Sequence, residues 1–76
     1  SDLKESLRAV LDFAVNACGF HKLTATVTAG NLASRGLLES CGFQLEGTLR
    51  DNYRLAGQWC DDWLFGLLAA EFQGGK

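Results

Sequence analysis

Two polar residues three positions apart, Asn31 and Ser34, open the stretch with the clearest chemical content, N-L-A-S-R-G-L-L-E-S-C-G-F from Asn31 to Phe43. Asn31 stands where a helix N-cap belongs, with a side-chain carbonyl that accepts from a first-turn N–H. The N-terminus of such a helix offers free N–H groups and the positive end of the helix dipole, a pairing that favours an anion. Ser34 adds a hydroxyl that both donates and accepts, one turn in. The plain alternative is that both residues serve only the helix, Asn31 as its cap and Ser34 as a first-turn hydrogen-bonding group. On spacing alone the plain reading is favoured, since most caps bind nothing but their own backbone.

Other residues with chemical capacity have plainer roles. His21 opens a strand without a visible acid or nucleophile beside it, so it reads as structural. Asp51, Asp61 and Asp62 come together if the chain turns at Ala56-Gly57. They either meet a cationic amine or pair with Arg50 and Arg54, and the ion-pair reading is favoured because exposed carboxylates find solvent or arginine. Trp59 and Trp63 are placed to stack on Arg54 and Arg50. Cys18, Cys41 and Cys60 are odd in number and far apart, and no CxxC or Cys/His cluster occurs. Neither a metal site nor a disulfide framework is expected, and Cys60 lacks a base. Three buried thiols in a reducing cytoplasm are the expectation.

Five elements must position these residues. Asp2 to Cys18 reads as a helix, with Asp2 and Glu5 as a capping-box-like pair. Its apolar face is Leu3, Leu7, Val10, Leu11, Ala14 and Cys18, and Lys4, Glu5, Arg8, Asp12 and Asn16 face water. Gly19 stops it, and Phe20 packs behind. Residues 21–28 alternate, Leu23, Ala25 and Val27 against Lys22, Thr24, Thr26 and Thr28, which is a strand. The second helix covers 31–41, with an apolar stripe of Ala33, Leu37, Leu38 and Cys41. Gly42 closes it, and Phe43 folds back. A long hairpin comes next, with strands at 43–55 and 58–68 and the turn at Ala56-Gly57. The first hairpin strand sets Phe43, Leu45, Leu49, Tyr53 and Leu55 on one face, against a wet one. The second is apolar on both faces from Trp63 on, W-L-F-G-L-L, so it belongs between the others and the sheet order is 1-3-2.

The implied fold class is α+β: helix, strand, helix and long hairpin, a partial version of a three-layer α/β arrangement, in one domain spanning residues 1–76. Forty-seven per cent hydrophobic residues with 21% charged is a globular balance. A net charge of −2 argues against nucleic acid as a partner. No apolar run is long enough to cross a membrane. The Thr- and Val-rich edge of the first strand and the apolar helix faces predict a homodimer.

Four blocks, G-F-H-K-L-T-A-T-V (Gly19–Val27), Asn31–Phe43, E-G-T-L-R-D (Glu46–Asp51) and D-D-W-L-F-G-L-L (Asp61–Leu68), stand in fixed order and spacing. In them the chain resembles the C-terminal half of GNAT-superfamily N-acetyltransferases, of the ribosomal-protein alanine acetyltransferase type. The resemblance covers nearly the whole chain. It implies a partial GNAT fold, acetyl-CoA as cosubstrate, no metal, a cytoplasmic protein, and acetyl transfer to a primary amine such as a protein N-terminus. It implies that Asn31 contacts the pantetheine arm and that Ser34 is a candidate acid for the departing thiolate. Tyr53 is a second candidate acid, with packing as its plainer role. The family's Gly-rich pyrophosphate loop, Gln/Arg-x-x-Gly-x-Gly/Ala, opens the helix that corresponds to Asp2–Cys18, and no glycine precedes Gly19 here. Gly36 stands where the family carries a larger residue. The expectation is therefore a truncated enzyme, inactive or weakly active alone. The alternative is a non-catalytic, self-associating module that binds a partner or only CoA.

Overall fold

The computed structural model describes residues 2–72. Helix α1 runs Asp2–Asp12 and passes into a π-helical turn at Phe13–Ala17. Strand β1 is Lys22–Thr28, helix α2 Leu32–Ser40, strand β2 Gln44–Leu55 and strand β3 Gln58–Leu68, and a short 3-10 turn comes last at Ala69–Glu71. The sheet is antiparallel in the order β1-β3-β2. None of the described helices is long and apolar enough to cross a membrane.

Both helices cover one face of this sheet. Leu11 from α1 and Leu38 from α2 join Cys41, Phe43, Val27, Phe65 and Leu67 in one buried cluster. Phe65 and Leu67 have no exposed surface at all. Leu23, Ala25 and Val27 of β1 stand opposite Leu67, Phe65 and Trp63, so the alternation in β1 aims its apolar residues into this core. On the far face, Thr24 and Thr26 are exposed.

The first helix differs from its sequence pattern. Its regular part stops at Asp12, and the Cys18 N–H reaches back five residues to the Phe13 carbonyl at 3.1 Å. Leu3 and Val10 are largely exposed, and so is Cys18. Only Leu7, Leu11 and Ala14 of the expected face turn inward. The five-residue turn adds one residue to the helical period and rotates the succeeding residues away from the core. Phe20 is carried outward with them and is exposed rather than packed behind Gly19. The end of α2, in contrast, closes as the sequence implies. Gly42 N–H donates to the Glu39 carbonyl at 3.0 Å and Phe43 N–H to the Leu38 carbonyl at 3.1 Å, with Gly42 at φ +102°. This is a full Schellman closure, and it drops Phe43 into the core.

Strand β2 also departs from expectation. Leu45, Leu49, Tyr53 and Leu55 are all exposed, although they alternate as one apolar face. For Leu49, Tyr53 and Leu55 the reason is a register shift between Leu45 and Gly47. Leu45 pairs with Phe65 and so shares the core face, whereas Leu49 pairs with Asp62 on the far face. Glu46, at the shift, lays its carboxylate over Gly66 and reaches the Lys22 ammonium at 3.0 Å. A Cβ on residue 66 would overlap that carboxylate.

Burial separates the aromatic residues cleanly. Phe65→Ala should lower unfolding free energy by ~3–5 kcal/mol, whereas Phe13→Ala, at an exposed position, should change it by no more than about 0.5 kcal/mol. Urea denaturation of the two variants followed by circular dichroism measures both. Equal losses would contradict the assignment of the core.

Candidate functional site

The N-terminus of α2 is built by the tight connection after β1. Ala29 N–H donates to the Asp61 carbonyl at 2.8 Å, and Asn31 N–H to the Thr28 carbonyl at 3.0 Å. Asn31 then caps the helix, its side-chain oxygen accepting from the Ser34 N–H at 3.2 Å. The first regular helical bond comes next, Arg35 N–H to the Asn31 carbonyl at 3.1 Å. Asn31 is exposed and Ser34 half-buried.

Ser34 faces a groove between the two helices. The groove has a volume of about 370 Å³ and is lined by Leu3 and Lys4 from the first turn of α1 and by Ala33, Ser34, Leu37 and Ser40 from α2. Its walls are largely apolar, with one cation and two hydroxyls. Ser40 already donates to the Leu37 carbonyl at 2.7 Å. Among the described residues no partner holds the Ser34 hydroxyl. The groove has room for a slender, partly apolar group, and Ser34 Oγ is a hydrogen-bonding group on its wall. Leu3 and Lys4 carry no sequence signal for this role. Lys4 reads as a solvent-facing residue, and its place at the groove follows only from how α1 lies beside α2.

A second concavity, of about 520 Å³, lies at the hairpin and is lined by Arg50, Asp51 and Asp61. Here β2 places Arg50, Asp51 and Asn52 opposite the single residue Asp61, since Leu49 pairs with Asp62 and Tyr53 with Cys60. Asp51 sits at φ +49°. The bulge is closed by carboxylates. Asp51 N–H donates to Asp61 Oδ1 at 2.9 Å, and Asn52 Nδ2 to Asp62 Oδ2 at 2.8 Å. Asp61 and Asp62 are thus held by the bulge itself rather than by ion pairs with Arg50 and Arg54. Asp62 is 8% exposed, and its bond to Asn52 keeps that burial from stranding a polar group. The turn at Ala56-Gly57 has φ +53° and +82°, the type I′ geometry that matches strand twist.

The remaining candidates lie apart from the groove. Tyr53 is exposed on the distal hairpin, opposite Cys60, and is not among the groove's lining residues. His21 is exposed at the other end of the sheet, where its carbonyl accepts from the Ala69 N–H at 2.8 Å. Cys18 is exposed, Cys60 half-buried and only Cys41 buried, so the expectation of three buried thiols does not hold. Arg54 does lie over Trp59, 5.6 Å from its ring centre, but the cation over Trp63 is Arg35, at 4.7 Å, and not Arg50. Among the described residues no group of three or more His, Cys, Asp or Glu is gathered as a metal site would need.

Residues 3–44 match the acetyltransferase (GNAT) domain family. The chain is similar to the probable N-acetyltransferase YjcK of Bacillus subtilis, 35% identical over 66 residues, which are 87% of this chain and 36% of that protein. It is also similar to the uncharacterized N-acetyltransferase p20 of Bacillus licheniformis, 33% identical over 70 residues, or 92% of this chain and 39% of that one. Among solved structures, a chimera of the spermidine N-acetyltransferase SpeG from Vibrio cholerae superposes with a TM-score of 0.84 at 25% identity, over 88% of this chain and 41% of the other. The chain therefore spans less than half the length of each of these proteins.

The cap at Asn31 has a measurable worth of its own. Asn31→Ala should cost ~1 kcal/mol of stability and Asn31→Asp should cost little, since aspartate caps as well. Denaturation midpoints for the three proteins read this directly. An Asn31→Ala protein as stable as the parent would show that the bond to Ser34 N–H does not hold the helix end.

Proposed function

We propose, for a chain that belongs to the GNAT acetyltransferase family, that it forms part of an N-acetyltransferase and that its α1–α2 groove receives the pantetheine arm of acetyl-CoA. The observation that carries this reading is the coincidence of two independent features. The Asn31–Ser34 pair to which the family resemblance points is also the pair that opens α2, and Ser34 lines the interhelical groove.

The residues present fit such a ligand. Leu3, Ala33 and Leu37 offer an apolar wall to its methylene and amide chain, and Ser34 Oγ and the Lys4 ammonium offer donors. Acetyl-CoA would supply the acetyl group as a thioester: a primary amine attacks its carbonyl, the C–N bond forms as the C–S bond breaks, the amine nitrogen gives up a proton, and CoA leaves as its thiol. Asn31 orders the first turn of α2 and presents the helix N-terminus. Ser34 donates a hydrogen bond to sulfur as negative charge develops there, the role of a placed donor in thiolate departure. Tyr53 stands away from the groove, and Ser34 carries the role of acid in this proposal. The acceptor is a primary amine. The name of the SpeG relative points to spermidine for that protein, and a protein N-terminus has the same reactive group. A protein of this kind acts in the cytoplasm, where acetyl-CoA is found.

A second reading rests on β1. Its outer edge has no partner strand among the described residues. Antiparallel pairing of two copies about Ala25 would set Leu23 against Val27 on one face and Thr24 against Thr26 on the other. This is the self-associating module, and a mass from light scattering tests it.

Calorimetric titration with acetyl-CoA tests the first reading. Binding in the sub-millimolar range, stronger than about 4 kcal/mol, is expected. Ala33→Trp, which fills the groove from an exposed position, should abolish it and leave the circular dichroism spectrum unchanged. No heat up to about 1 mM ligand, or equal binding by Ala33→Trp, would overturn the assignment.

A further inference from the structure

The first turn of α2 carries the residues assigned above to the ligand, yet little apolar burial holds it in place. Leu38 is the only fully buried residue of the helix, and it lies in the C-terminal half, next to Cys41 and Phe43. At the N-terminal end Leu32 is 70% exposed, Ala33 and Gly36 are exposed, and Ser34 is turned to the groove. Gly36 further weakens helical order at the boundary between the two halves. The cap bond from Ser34 N–H to Asn31 fixes the turn to itself and not to the sheet.

The Ala29 N–H bond to the Asp61 carbonyl ties the approach to α2 to β3, and one side chain ties the turn itself. The Arg35 guanidinium lies over the Trp63 ring, 4.7 Å from its centre, and 5.9 Å from the centre of Phe65. Arg35 Nε also donates to Glu39 Oε2 at 3.2 Å, one turn on. The planar guanidinium thus faces aromatic rings of the central strand while a carboxylate of its own helix holds it in orientation. Trp63 and Phe65 lie on β3, so the tether runs from the ligand-facing turn straight into the core.

We propose that Arg35 is the positioning residue of this site: it anchors the first turn of α2 to β3 and so sets where Asn31 and Ser34 stand relative to the α1 side of the groove. The proposal rests on the groove being the acetyl-CoA site. It makes Arg35 a residue that acts through Asn31 and Ser34 and does not touch the ligand; the groove lining does not include it. It also distinguishes arginine from lysine. A lysine keeps the charge, but its compact ammonium does not lie flat on an aromatic face.

Amide hydrogen exchange and acetyl-CoA titration on the parent, Arg35→Ala, Arg35→Lys and Trp63→Leu test this. In Arg35→Ala, exchange at Ser34 and Arg35 should accelerate about five- to tenfold, the loss of a cation–π contact read as local opening. Exchange at Gly42 and Phe43, held by the Schellman closure, should not change. Acetyl-CoA affinity should fall by a similar factor, Trp63→Leu should reproduce both effects at the first turn, and Arg35→Lys should not rescue them. Uniform acceleration across the whole chain would show that Arg35 serves global stability, and the proposal would fail. So would local opening with undiminished affinity, or full rescue by lysine. A parent protein that binds no acetyl-CoA would refute the ligand assignment, and the exchange pattern would still decide whether Arg35 is the anchor.

Discussion

Strand β3 is the constraint on which the remainder of the structure depends. It must satisfy hydrogen-bonding neighbours on both edges while burying Phe65 and Leu67, with Trp63 packed half-buried beside them, beneath two helices. No other element can occupy the centre, because only this one carries an apolar run without a wet face. Its far face is handled differently, residue by residue. Gly66 leaves room for the Glu46 carboxylate on its way to Lys22, and Asp62 is buried because Asn52 donates to it. The two sides of the strand thus hold the helices on one face and fix the shape of the hairpin on the other.

Asp61 joins these two functions. Its carbonyl receives the Ala29 N–H, which begins the connection into α2, and its carboxylate receives the Asp51 N–H, which closes the bulge in β2. One residue of the central strand therefore fixes both the approach to the capped helix and the conformation of the hairpin. The left-handed backbone at Asp51 persists because this bond and that of Asn52 over-determine it. Rigid placement of the α2 N-terminus is what the proposed acetyl-CoA site would require, since a loose terminus would have to be ordered on binding.

What the sequence made legible was local chemistry. Asn31 and Gly42 announce a helix because capping depends on the residue itself and its immediate neighbours. Ala56-Gly57 announces a turn for the same reason, and the run from Trp63 to Leu68 shows the central strand because burial on both faces leaves no polar alternation. What stayed hidden depends on register and on contacts distant in the chain. The alternation of Leu45, Leu49, Tyr53 and Leu55 continues unbroken through two bulges, so nothing in it reveals that these residues divide between faces or stay exposed. The π-helical turn leaves no mark on the spacing of Val10, Ala14 and Cys18. At the proposed site, Asn31 was legible from type and spacing as a helix cap, and Ser34 was pointed to by the family resemblance. Lys4, Leu3 and the Arg35–Trp63 stack were not legible, because each belongs to the site only through tertiary packing.

The most direct measurement of the central claim, that the ligand lies between α1 and α2, is a map of amide chemical shifts during titration of the chain with acetyl-CoA. The expected result is that Leu3, Lys4, Ala33, Ser34, Leu37 and Ser40 shift together along one binding curve, while Arg50, Asp51 and Asp61 at the hairpin concavity stay in place. Shifts confined to the hairpin, or an unchanged spectrum at saturating ligand, would contradict it.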